Sequence, residues 1–195
     1  MEAQKSLDES RIFQKNRILE ISHTLQRMQK KCDKYLQEFE QSGDWKKFKE
    51  GFLSYNFLFK PHEVVQFQTC DLGDKETSFF LPKKQEIIVC SNKIQGQEHF
   101  NQVLKYELTI MYDSIRSKID YNNCKQLTCM HIRALNLSEI CQRGNKNCYK
   151  DKIDQIIFKN PVCQGQEKIF DKTFETCVVD IAPYNTLKHS RSFFL

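Results

Sequence analysis

Long apolar runs are missing from this sequence. A helix needs roughly 20 consecutive apolar residues to cross a bilayer. The richest clusters, FLSYNFLF at 52–59 and SFFL at 78–81, fall well short. A spanning helix is therefore not expected, and the chain reads as soluble or peripheral. The opening residues lack the apolar central segment of a secretory signal, and Glu2, Asp8, Glu9 and Glu20 are out of keeping with an acid-poor mitochondrial presequence. They read as a retained helix. Cysteine pairs in the Cys-x-x-Cys spacing are also lacking, which argues against a zinc ribbon. Neither an internal repeat nor a low-complexity linker is present. The net charge of +5 forms no basic stripe, so charge alone gives weak support for nucleic-acid binding.

What is present is globular: 195 residues, 28% charged and 39% hydrophobic, enough for one domain with a core plus an extension. Nine cysteines are many for a reducing compartment. They predict disulfides and an oxidising environment, against the alternative of reduced cysteines packed as small hydrophobes. An odd count leaves at least one thiol free or paired to another chain.

Periodicity divides the chain. Residues 8–59 read as mostly helical, with Tyr35, Leu36 and Phe39 at helical spacing, a break at Ser42-Gly43-Asp44, and a second amphipathic piece carrying Trp45, Phe48 and Phe52 up to Pro61. From 62 to 92 the pattern changes: Val65, Phe67 and Thr69 alternate, and ETSFFL at 76–81 and EIIVC at 86–90 read as strands of a small, mainly antiparallel sheet. After Gly96, Phe100, Val103, Leu104, Leu108, Met111 and Ile115 form one helical stripe. Another helix covers about 125–140, with Leu127, Met130, Ala134 and Leu137 on a face, and short helices are expected near 151–159 and 166–177. The expectation is an α+β fold: a helical N-terminal arm over 1–60, one domain over 61–187 and a tail over 188–195.

The stretch LKYELTIMYDSI at 104–115 places a single glutamate, Glu107, in an apolar helix. Residues 106 and 110 lie one turn apart and point the same way, the spacing by which paired histidines hold zinc beside a glutamate base. Here they are Tyr106 and Ile110. Tyrosine is an uncommon ligand with a pKa of about 10, and isoleucine has no lone pair to offer.

YELTIMYD at 106–113 resembles the His-Glu-Leu-x-His-x-Tyr/Phe-Asp helix of a family of mitochondrial intermembrane-space zinc metalloproteases, also described as Ku-binding, which process and help assemble a membrane subunit of ATP synthase. IIVCSN at 87–92 resembles the family's preceding strand. LTCMHIRALNLSEIC at 127–141 resembles its following segment, and FETCVVDIAPY at 174–184 its C-terminal motif. The resemblance covers roughly residues 30–187 and implies a zincin-like domain. Tyr106 and Ile110 stand where that family has zinc histidines, and His131 stands where it has a glutamate. Only the base, Glu107, is kept. The resemblance, with two ligands replaced, implies a vestigial site of Tyr106, Glu107, Ile110 and His131, with no catalytic residue, cofactor or metal.

Glu107 and His131 are expected to meet as a hydrogen-bonded staple between helices, or His131 simply to fill a gap or reach solvent. Asp113 and Arg133 read as solvated or structurally paired. The lysines at 46, 47 and 49 could touch anionic lipid, but nearby acids favour a solvated face. Cys90, Cys129, Cys141, Cys163 and Cys177 match family cysteines most closely, and with Cys70 they are the disulfide candidates.

Three function classes follow. The first expectation is a catalytically inactive homologue, a structural subunit of an inner-membrane oxidative-phosphorylation complex (ATP synthase or respiratory chain), or an assembly factor for ATP synthase. It would lie in the mitochondrial intermembrane space, peripheral to the inner membrane, with protein subunits as partners and no nucleic acid. The arm and the tail Phe193-Phe194-Leu195 are candidates for contact with neighbours. The second is an active protease with a rearranged metal site. The third is a DNA-related role.

Overall fold

In the computed structural model the described residues are 22–185, except 72 and 74. The expected contacts through the first 21 residues and the tail 188–195 lie outside them. The fold is α+β. Helix α1 is described over 22–40, followed by α2 (Gly43–Leu53), the short α3 (Pro61–Val64), strands β1 (Val65–Gln68), β2 (Ser78–Leu81) and β3 (Glu86–Cys90), then helices α4 (Gln97–Arg116), α5 (Cys124–Leu137), α6 (Lys146–Ile156) and α7 (Lys168–Val178).

Side chains from the loops start several helices. The Ser42 hydroxyl accepts from the Trp45 N–H at α2, and the Asn123 side chain accepts from the Lys125 and Gln126 N–H groups at α5. Each satisfies donors that a helix start leaves open.

The sheet is mixed rather than mainly antiparallel. Its order is β1-β3-β2. The tight turn after Leu81 makes β2 and β3 an antiparallel pair, with Phe79 opposite Ile88. β1 lies parallel to β3 on the other side, with Phe67 opposite Val89. A parallel neighbour needs a long crossover, and the chain from 69 to 85, which includes β2, supplies it. The Cys70–Cys90 disulfide ties this crossover to the end of β3.

Helix α4 stands between two apolar cores. At ~1.5 Å per residue its 20 residues extend about 30 Å. Phe100, Leu104, Leu108 and Met111 join Cys32, Leu36, Phe39, Phe48, Phe52, Ile87 and Val89 in one core. Ile110 belongs to the other, which is built from α5, α6 and α7. The predicted apolar stripe is thus buried as expected, and helices α1 and α2 pack into the same core as the sheet. Gly51 is needed where α2 approaches its neighbours: a Cβ there would lie 2.4 Å from the Pro183 side chain and 3.1 Å from Tyr112.

Three further disulfides hold the second core. Cys129–Cys177 joins α5 to α7, Cys124–Cys163 joins the start of α5 to the loop before α7, and Cys141–Cys148 ties that core's α5–α6 loop to α6. All six candidate cysteines are bridged. Cys124 and Cys148 complete the pairs, and Cys32 is the free, buried thiol.

Candidate functional site

Tyr106 and Glu107 are consecutive on α4, and consecutive helical positions point about 100° apart. They therefore face different neighbours. Tyr106 faces α5, where its hydroxyl lies 2.5 Å from His131 Nδ1. Glu107 faces β2, where the Ser78 hydroxyl donates to Oε1 at 2.7 Å and the Phe80 backbone adds a hydrogen bond. The expected Glu107–His131 staple is not formed. The helix geometry exchanges the partners: Tyr106 joins α4 to α5, and Glu107 joins α4 to the edge strand. Ser78 was not found by sequence reasoning, because nothing in ETSFFL marks its serine as facing a helix 29 positions away.

Burial sets the charge states. Glu107 is only 3% exposed. Desolvation lifts its carboxyl to about 7, and the hydrogen bonds from Ser78 and Phe80 pull only partly the other way. Desolvation also lowers His131 to about 4 and raises the Tyr106 phenol well above its ordinary value. At neutral pH both rings are uncharged. With the imidazole proton on Nε2, the phenol donates to Nδ1.

Farther along the same helices lies a charged cluster. Arg133, wholly buried, donates to the Asp113 carboxylate and to the carbonyls of Asp180 and Ala182. Arg116 lies 2.8 Å from Asp113 and 2.7 Å from Asp180. Burial opposes ionisation of Asp180, but Arg133 and Arg116 outweigh it and hold the carboxyl below the usual range. Of the alternatives for Asp113 and Arg133, the paired one holds. A second buried charge, Lys105, lies 3.1 Å from Glu139 and 3.6 Å from Asp44, joining α4 to α2 and to the end of α5.

The family profile for Peptidase M76 matches residues 26–185. The chain belongs to the Peptidase M76 family. Its relatives include the mitochondrial inner membrane protease ATP23 homolog of Xenopus laevis, 32% identical over 55% of this chain and 52% of the relative. The human ATP23 homolog is 26% identical over 65% of this chain and 58% of its own length. The ATP23 protease of Yarrowia lipolytica is 27% identical over 70% and 58%. The chain thus spans between half and three-fifths of these relatives' lengths. No solved structure matches.

Membership of this peptidase family corrects the first functional expectation. The family and relatives named as proteases point to a protease or processing role, not to a catalytically inactive structural subunit.

The donor set is a separate matter from the activity, and it does not fit the zinc that the resemblance implies. A catalytic zinc takes three protein ligands and keeps one open position. Ile110 has no donor atom and is packed into the apolar core. The Tyr106 hydroxyl is engaged by His131, and Glu107 by Ser78. Among the described residues no three His, Cys, Asp or Glu side chains are grouped to hold an ion. No step is therefore derived through a metal. What the site offers is a carboxyl that titrates near neutral pH, held against the edge strand of the sheet.

Proposed function

We propose that this chain processes proteins at the inner mitochondrial membrane, with Glu107 as its acid–base residue. The observation that carries the reading is the Glu107 carboxyl itself, fixed by Ser78 and raised to about 7 by burial. A group that titrates near the working pH can both take and return a proton, which peptide hydrolysis needs at the attacking and leaving atoms. Ser78 and the Phe80 backbone hold the carboxyl in place. The family match and the names of the relatives support the substrate class and the membrane. Four disulfides suit an oxidising compartment, which supports a place in the intermembrane space. The protein partners would be subunits of an inner-membrane oxidative-phosphorylation complex.

The test compares mitochondria from cells lacking the chain with those re-expressing the wild type or Glu107→Gln. The N-termini of inner-membrane proteins are mapped in each. The expected result is a set of N-termini lost on deletion, restored by the wild type and not by the variant. If no N-terminus depends on the chain, or if Glu107→Gln restores them all, the reading is wrong.

A further inference from the structure

The segment after α2 presents apolar side chains to solvent in an ordered way. Phe57 and Phe59 turn inward and pack on the core with Phe52. Their rings lie 5.8 Å and 4.9 Å from that of Phe52, and 5.5 Å from each other. In an extended chain alternate side chains point to opposite sides, so Leu58, between them, is turned out and is 72% exposed. Leu53 at the end of α2 is 41% exposed, and Tyr55, whose ring rests edge-on against Tyr112, is 45% exposed. A left-handed Asn56 and the bond from the Phe57 N–H to the Phe52 carbonyl close the turn. An aromatic base thus turns Leu58 out to solvent, with Leu53 and Tyr55 partly exposed in the same short segment.

The charge behind this segment has one dominant sign. Residues 46–60 contain four lysines and one glutamate. Lys46 and Lys49 are exposed and share the helical face that ends at Leu53 with one acid, Glu50, while Lys60 is paired with Glu63. Asp44, the nearest acid before them, is turned to the buried Lys105 and so does not offset them. Lys47 lies over the Tyr184 ring. Apolar tips rimmed by lysine suit the boundary between lipid headgroups and acyl chains, where long lysine stems let the ammonium stay in water.

We propose that Leu53, Tyr55 and Leu58, with Lys46 and Lys49 behind them, form a docking surface for an anionic lipid bilayer. No helix among the described residues is long and apolar enough to cross a membrane. The surface is independent of the Glu107 chemistry, and the two readings fail separately.

The test is co-sedimentation of the full chain with phosphatidylcholine vesicles, with and without phosphatidylglycerol, at low and high salt. Binding is expected only with the anionic lipid and should fall with salt. Each lysine near such a surface contributes roughly fivefold in partitioning, so Lys46→Gln with Lys49→Gln should weaken binding about 25-fold. Leu58→Asp should abolish it with an unchanged melting temperature, since the side chain is exposed. Glu107→Gln should bind like the wild type. Equal binding to neutral vesicles, no binding to either, or binding untouched by the Leu58 and lysine variants would overturn the proposal. So would a concentration-dependent dimer abolished by Leu58→Asp, which would make this segment a contact between copies of this chain.

Discussion

Two stretches of the α4–α5 contact bury ionisable side chains and treat them in opposite ways. Around Arg133 the groups stay charged: two arginines and two aspartates neutralise one another and add bonds to backbone carbonyls. Around Tyr106 the two rings stay neutral. The phenol and imidazole share one hydrogen bond, and Glu107 is held near the midpoint of its titration. A buried charge is tolerated when its partners are complete, and is otherwise given up by a shift in pKa. The first stretch balances its charges, although Asp113 Oδ2 accepts no hydrogen bond among the described residues, and serves as a fixed brace. The second lacks a cation, and that lack leaves one carboxyl able to exchange a proton at neutral pH.

The comparison breaks most visibly if the brace is cut on one side only. Arg133→Met leaves Asp113 and Asp180 to share Arg116 alone and should cost about 3–5 kcal/mol in chemical denaturation. Replacing Asp113 by leucine in the same chain should recover part of this loss, since a fully apolar pair strands less charge. If the double variant is no better than the single one, the cluster does not act through its charges.

The neutral stretch should be weaker. Tyr106→Phe removes the only hydrogen bond described for His131 Nδ1 and should cost about 1–3 kcal/mol. Tyr106→Phe combined with His131→Phe should cost less than the two single effects added. A metal chelator should leave the wild-type melting temperature unchanged, because the α4–α5 contact is made directly by the two side chains. A chelator-induced drop would mean that a metal, and not this hydrogen bond, joins the helices.

The smallest effect sharpens the comparison by pH. Glu107, raised from 4.5 to about 7, favours the fold while protonated. Its contribution is full below pH 4.5 and is lost as pH rises to about 7. His131, lowered from 6.5 to about 4, contributes fully above pH 6.5 and loses that contribution as pH falls toward 4. Between pH 4.5 and 6.5 the two slopes oppose each other. Glu107→Gln should therefore show stability rising with pH across this window more steeply than the wild type, and His131→Asn should show the reverse. Parallel curves for all three proteins would mean that neither group is shifted.

Local signals and distant ones differed in how far they could be read. The α4 stripe from Phe100 to Met111 was legible because its partners all lie on one helical face. The parallel placement of β1 was not, since strand order depends on where the crossover returns. Tyr106, Glu107 and His131 could be named from their spacing, but not paired. That required the direction of α5 and the register of β2, neither of which is local. Cys124 and Cys148 were passed over because connectivity depends on distance in space. The burial of Arg133 was missed although a signal existed: Cys129, Met130 and Leu137, which share its helical face, are apolar. An arginine there needs buried acids, and Asp113 and Asp180 both stood in the quoted motifs. The functional misreading had another origin. Ligand identity speaks to one chemical means, whereas family membership is carried by the whole of residues 26–185.

The central claim is that Glu107 is a buried carboxyl poised to exchange a proton at neutral pH. The most direct measurement is a carbon-13 NMR titration of glutamate side-chain carboxyls in the folded chain, with the Glu107 signal assigned by its loss in Glu107→Gln. The account predicts a midpoint near 7. A midpoint near the ordinary 4.5 would contradict it and remove Glu107 as the acid–base residue.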